Sequence, residues 1–139
     1  MMTLQPIVNP PCATTFASSY KTDKMKNARE IITHHLQSFQ DNELEALMRD
    51  YTDESILVTP EKTYTGPEEI RSFFIDLMVH FPIEGSSFDL DTLVVEDELA
   101  YIVWHAKTPS LTVPLASDTF ILKEGKIHQQ TFFGDLRFI

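Results

Sequence analysis

The sequence predicts an α+β domain in which amphipathic N-terminal helices close over a curved antiparallel sheet and leave an apolar pocket suited to a small molecule. Two observations carry this. Apolar residues recur at helical spacing through about Phe81, and from Ser86 onward the pattern changes to strands separated by short turns. Helices followed by strands, rather than alternating with them, argue against a doubly wound sheet. A chain of 139 residues supports one core, burying roughly two-thirds of the surface its unfolded form exposes.

Residues 1–22 mix Pro6, Pro10 and Pro11 with Ser, Thr and Ala and hold no steady period, so a flexible or loosely docked arm is expected there. The domain proper is expected over 23–139. Its first helix starts near Asp23 and carries an apolar stripe of Ala28, Ile32, His35 and Phe39, flanked by Ile31 and Leu36. Asp41 and Asn42 break it. Asn42 with Glu45 resembles a capping box, opening a shorter helix that carries Leu44, Leu47, Met48 and Tyr51. An extended segment, Ser55 to Thr59, ends at Pro60.

Thr65-Gly66-Pro67-Glu68-Glu69 is a helix start, because proline fits the first helical position and the carboxylates favour the positive end of the helix dipole. That helix presents Ile70, Phe73, Phe74, Leu77, Met78 and Phe81 on one face, and Pro82 and Gly85 stop it. Strands are expected near 86–95, 99–107, 112–122 and 126–133, with turns at Glu96-Asp97, Thr108-Pro109-Ser110 and Glu124-Gly125. Connections this short make hairpins, so the sheet should be an antiparallel meander.

Composition excludes several function classes. Twenty-one acidic residues face 11 basic ones, a formal charge of −10 with no basic run, which argues against nucleic acid and against anionic membrane surfaces as partners. Cys12 is the only cysteine, so neither an intrachain disulfide nor a cysteine-based zinc site can form. The start lacks the basic residues and apolar run of a secretory signal, and no stretch approaches the roughly 20 apolar residues that span a bilayer. A cytoplasmic protein is expected. No bound metal is expected, since the five histidines include no H-x-x-x-H or H-E-x-x-H spacing, and His34 and His35 diverge on a helix. A G-x-S-x-G nucleophile elbow and a glycine-rich phosphate loop are both missing, with only four glycines in the chain.

Asp118 stands out, because aspartate is depleted in strand interiors and this one shares a face with Phe120 and Leu122. If that face points inward, burial raises its pKa and suits it to proton donation. The alternation equally allows Val113, Leu115 and Ile121 to be the buried set, leaving Asp118 in solvent. His35 lies on the apolar stripe of the first helix, whereas His34 is turned away from it. As a site residue His35 could donate a hydrogen bond or shuttle a proton; as a core residue it would bond a backbone carbonyl. Phe74, Met78, Trp104 and Phe133 are candidate pocket walls, and the same stripe also fits plain core.

The order and spacing of four strings resemble the nuclear transport factor 2-like superfamily, in its SnoaL-like and ketosteroid isomerase-like branch. They are residues 42–48 (NELEALM), 51–54 (YTDE), 64–70 (YTGPEEI) and 118–127 (DTFILKEGKI). The resemblance covers 24–139 and implies a cone-shaped, cystatin-like α+β barrel, an apolar small-molecule ligand, no cofactor, and a homodimer formed through the sheet. It also implies that Asp118 hydrogen-bonds a substrate oxygen, that His35 stands where such isomerases carry an oxyanion-hole tyrosine, and that Tyr51 supports the network. Tyr51 would otherwise be an ordinary core tyrosine. The chain departs from the pattern at the general base, an aspartate before a proline in those enzymes, which here is Thr59 before Pro60. Steroid isomerisation by that route is therefore not expected, while a cyclase-like reaction on an activated substrate, with Asp118 as acid/base, is. The missing base equally favours a non-catalytic ligand-binding or dimerisation module. An epoxide-hydrolase site of Asp-Arg-Asp type is disfavoured, since Arg29, Arg49, Arg71 and Arg137 all lie off the central strands.

Overall fold

The first described helix, α1 (Ala28–Gln40), is opened by a reciprocal cap. The computed structural model describes residues 27–139; the expected arm, and the expected start of the helix near Asp23, lie outside them. The Asn27 side chain accepts from the Glu30 backbone N–H at 2.9 Å, and the Glu30 carboxylate accepts from the Asn27 N–H at 3.2 Å. This is the chain's capping box. The one expected at Asn42 does not form. Asn42 instead adopts φ 55° and sends its side-chain amide to the carbonyls of Met78 and Phe81, at 3.1 and 2.9 Å.

Helix α2 is a short turn, Leu44–Met48. Tyr51 is not part of it and begins β1 (Tyr51–Val58). A brief β2 (Thr63–Thr65) pairs antiparallel with β1, and α3 (Gly66–Met78) follows directly. Pro67 sits in its first turn, and the Glu69 carboxylate accepts from the Thr65 N–H at 2.8 Å, so the acidic start caps as well as complements the helix. The helix ends at Met78, before Phe81, which is nonetheless fully buried in the turn beyond it.

Strands β3 (Ser87–Glu96), β4 (Leu99–Lys107), β5 (Leu111–Lys123) and β6 (Lys126–Gly134) form the expected antiparallel meander. The β5–β6 turn places both Glu124 and Gly125 at positive φ, 52° and 79°, the geometry that matches strand twist in a two-residue hairpin. A short β7 (Arg137–Phe138) pairs with the start of β5. The sheet order is β2-β1-β6-β5-β4-β3, and the β1–β6 pair is parallel. The sheet is thus mixed and mostly antiparallel rather than a pure meander, because β1 returns to the free edge of β6.

Helix α1 packs on β3 and β4, and α3 on β1 and β2. Between helices and sheet lies the core, with Ile32, Leu36, Phe39, Ile70 and Phe74 from the helices meeting Leu57, Phe88, Ile102, Trp104 and Phe120 from the strands. Bulges interrupt the register between Leu90 and Thr92, between Trp104 and Ala106, and between Ile121 and Leu122. Each bends its strand and resets which residues face in.

Candidate functional site

The bulge on β4 and β5 decides where Asp118 points. Trp104 pairs with Ala116 but Ala106 pairs with Val113, so between them one residue on β4, His105, faces two on β5, Pro114 and Leu115. The inward parity changes across that step. Val113 is buried, and so are Ala116, Asp118, Phe120 and Leu122, while Leu115 and Ile121 are exposed. The alternative that turns Asp118 inward with Phe120 and Leu122 holds throughout, and the other holds only at Val113, on the far side of the bulge.

Asp118 is 7% exposed and lies between Ile102 and Phe132 on neighbouring strands. Trp104 Nε1 donates to its Oδ1 and Gln130 Nε2 to its Oδ2, each at 2.9 Å. Tyr51 donates its hydroxyl proton to Gln130 Oε1 at 2.5 Å, so donors are aimed at Asp118 along a chain from β1 through β6. Burial pushes the Asp118 carboxyl up to about 6; the hydrogen bonds from Trp104 and Gln130 and the attraction of His35 oppose it without cancelling it. Burial also holds the Tyr51 hydroxyl well above its ordinary range, reinforced by Asp118 and Asp50, so Tyr51 stays a donor.

His35 is 4% exposed, and the rings of Tyr51, Phe74 and Phe120 stand around it edge-on at 5.5 to 5.8 Å. Its Nδ1 lies 3.7 Å from Asp50 Oδ2 and has no hydrogen-bond partner among the described residues. His34, turned away from the stripe as expected, uses its Nδ1 on both Asp50 oxygens at 3.0 Å. Sequence reasoning missed Asp50 entirely, since nothing local marks it as a neighbour of a helix 15 residues earlier.

Asp118 and His35 open onto one cavity, whose walls include Phe74 and Trp104. Phe39, Phe73, Phe88, Phe120 and Phe132 add to the apolar lining, and Gln130 is its remaining polar member. Trp104 is stacked between Phe88 and Phe132, with centroids at 5.0 and 6.3 Å, which fixes the indole that donates to Asp118. The space between the lining atoms, mouth included, is about 380 Å³, but only about 30 Å³ of it is free for the centre of a water-sized molecule.

The other expected site residues stand elsewhere. Tyr51 is buried behind Gln130 rather than in the wall. Met78, the last residue of α3, is buried core outside the cavity lining. Phe133 points outward, 55% exposed, because the inward position on β6 belongs to Phe132. Thr59 does not reach the cavity; its hydroxyl accepts from the backbone N–H groups of Glu61 and Lys62 and donates to the Lys62 carbonyl, which makes it the corner of a turn. Gln130 went unnoticed because Gln129 and Gln130 are adjacent, one on each face, and period alone cannot choose between them. Among the described residues no cluster of three metal-ligating side chains occurs, and no helix is long and apolar enough to cross a membrane.

Helices laid across the inner face of a bent, mostly antiparallel sheet, with a polar group at the bottom of an apolar cavity, define a nuclear transport factor 2-like α+β fold. Solved structures agree. An NTF2-like protein of unknown function from Cytophaga hutchinsonii superposes with TM-score 0.63 at 13% identity, covering 80% of this chain and 91% of that one. A proposed ketosteroid isomerase from Kribbella flavida gives 0.65 at 12%, covering 78% and 77%, and TerC co-crystallised with polyporic acid gives 0.64 at 16%, covering 78% and 91%. At such identities the likeness speaks for the fold alone. The SnoaL-like domain family matches residues 32–130, and the chain belongs to that family. No curated protein matches the sequence.

Proposed function

We propose that the chain is a small-molecule enzyme of the isomerase or cyclase type, working without a cofactor by acid/base chemistry on an apolar, carbonyl-bearing compound. The observation that carries this reading is Asp118, a carboxyl group buried in an aromatic cavity and held near pKa 6, where it exchanges its proton close to neutral pH. Asp118 is the acid or acid/base, His35 the second polar group, and Phe74 and Trp104, with Phe73 and Phe132, the walls. The family supports a pocketed small-molecule protein, and the solved neighbours include a proposed isomerase and a protein crystallised with an organic acid.

The second reading is a non-catalytic ligand-binding or dimerisation module. Thr59, spent on a turn and far from a base's role, favours it. Either protein is proposed to be a cytoplasmic homodimer through the outer sheet face, where Val58, Leu99, Tyr101, Ile121 and Phe133 are exposed.

Thermal-shift screening of a panel of apolar ketones and phenols, followed by turnover assays on every binder, separates the readings. The enzyme reading expects product formation that falls at least about 100-fold in Asp118→Asn, the lower range for a lost general acid. Binding without turnover by any member supports the module. Wild-type turnover by both Asp118→Asn and His35→Ala rules the site out.

A further inference from the structure

His35 Nδ1 is a buried polar atom without a hydrogen-bond partner among the described residues, an unfavourable state for a group removed from water. The aromatic edges around it offer no acceptor. Asp50 Oδ2 stands 3.7 Å from it, a carboxylate within reach of a small side-chain adjustment though longer than a hydrogen bond.

Asp50 is itself held in place. It is 8% exposed, its backbone carbonyl accepts from the Ile127 N–H at 2.7 Å where β1 meets β6, and His34 fixes both carboxylate oxygens from the neighbouring position on α1. An ionised carboxylate only accepts, so a proton between the two groups has to belong to His35 Nδ1. In a neutral imidazole that leaves Nε2, at the far end of the ring, with a bare lone pair. Nε2 has no bond to a described protein group and is not among the fully buried unpartnered atoms, while His35 as a whole lines the cavity.

We propose that Asp50 is a positioning residue that holds His35 in its Nδ1–H form, so that His35 Nε2 is the proton acceptor of the cavity and faces the Asp118 acid. This rests on the acid/base reading above and supplies the base that Thr59 does not. It also narrows the substrate to a compound with an acidic C–H beside a carbonyl. The C–H proton goes to His35 Nε2 while protonated Asp118 gives its proton to the carbonyl oxygen, forming an enol. Where a carbon–carbon double bond extends the enol into a dienol, return of the His35 proton to the far carbon and of the enol proton to Asp118 shifts that double bond, an isomerisation with no net proton change. Asp50 touches no substrate and exchanges no proton in this cycle.

The test is long-range 1H–15N correlation of the imidazole rings in the uniformly 15N-labelled full chain at pH 8, with no ligand. His35 is expected neutral, with its proton on Nδ1. In Asp50→Ala the Nε2–H form, which an unconstrained imidazole prefers, is expected to change from the minor to the major species, while His34→Gln keeps Nδ1–H. A wild-type His35 protonated on Nε2, or still doubly protonated at pH 8, overturns the proposal, and so does an Asp50→Ala spectrum with the wild-type tautomer. The wild-type spectrum decides even if Asp50→Ala does not fold. Failure here leaves Asp118 as an acid; wild-type turnover by Asp118→Asn sinks the acid/base reading without moving the tautomer.

Discussion

A carboxyl group taken out of water resists ionising, and Asp118 does so even with Trp104 and Gln130 donating to its two oxygens. Its folded pKa of about 6 lies above the ordinary 3.8, so the folded state holds a proton that the unfolded chain has released throughout that interval. Asp118 therefore lowers stability as pH rises from about 4 to about 6, by about 3 kcal/mol for a shift of two units, and the loss persists at higher pH. Asp118→Asn cannot ionise, and its amide oxygen still accepts from the Trp104 indole. The variant is expected to match wild type at pH 4 and to exceed it by up to about 3 kcal/mol at pH 8 in urea denaturation. Equal differences at both pH values would show that Asp118 is not a buried acid. The sequence already marked Asp118 and His35, because a charged or titratable residue on an apolar stripe is visible locally. The inward turn of Asp118 was not legible, since a bulge that shifts strand parity leaves no local sign.

Asn42 ties two helices together, and its conformation and its hydrogen bonds make separate demands. Its positive φ costs a residue with a Cβ about 1–2 kcal/mol unless the side chain compensates, and each of its bonds to the carbonyls at Met78 and Phe81 is worth about 0.5–1.5 kcal/mol. Asn42→Ala is expected to lose about 2–5 kcal/mol, and Asn42→Gly about 1–3, because glycine keeps the backbone but not the bonds. Chemical denaturation of both variants checks the order; alanine no worse than glycine would mean the backbone carries no strain. The same residue shows how an element is misread. Asn-x-x-Glu spells a capping box, and only the distant ends of α3 reveal that the amide is used elsewhere. The first strand was likewise read four residues short, because Tyr51 and Ile56 pair with Ile127 and Gln129 across a large register shift and Ser55 is buried to bond the Ile127 carbonyl at 2.6 Å. Alternation fails where a strand bulges, whereas the bounds of β3 to β6 were legible to within a residue because short turn signals mark their ends.

For the whole molecule, the cavity and the outer sheet face set two scales of association. Free space of about 30 Å³ holds a water or two, so a ligand of ring size needs α1 or α3 to move off the sheet. Half-buried Leu77 lines the cavity from α3, and Leu77→Ala is expected to tighten binding of a small arene such as naphthalene while costing about 1–2 kcal/mol of stability, less than a fully buried leucine would; calorimetry that finds no gain would place the opening elsewhere. On the opposite face, exposed Ile121 pairs with exposed Leu99, and Tyr101 lies two residues along β4, so the three form an apolar row, edged by Thr119 and Gln129, that faces water in a lone chain. Two copies meeting there bury that row but bring together charges of −10 each. Salt screens such repulsion beyond a Debye length of about 30 Å at 0.01 M and about 8 Å at 0.15 M, while apolar contact is little affected. The proposed dimer is therefore expected to tighten with added salt, opposite to an assembly held by ion pairs. Ile121→Lys is expected to give monomers in sedimentation at both ionic strengths with the Asp118 titration unchanged, since residue 121 faces away from the cavity. A dimer that survives the substitution, or that weakens with salt, would place the interface on another surface.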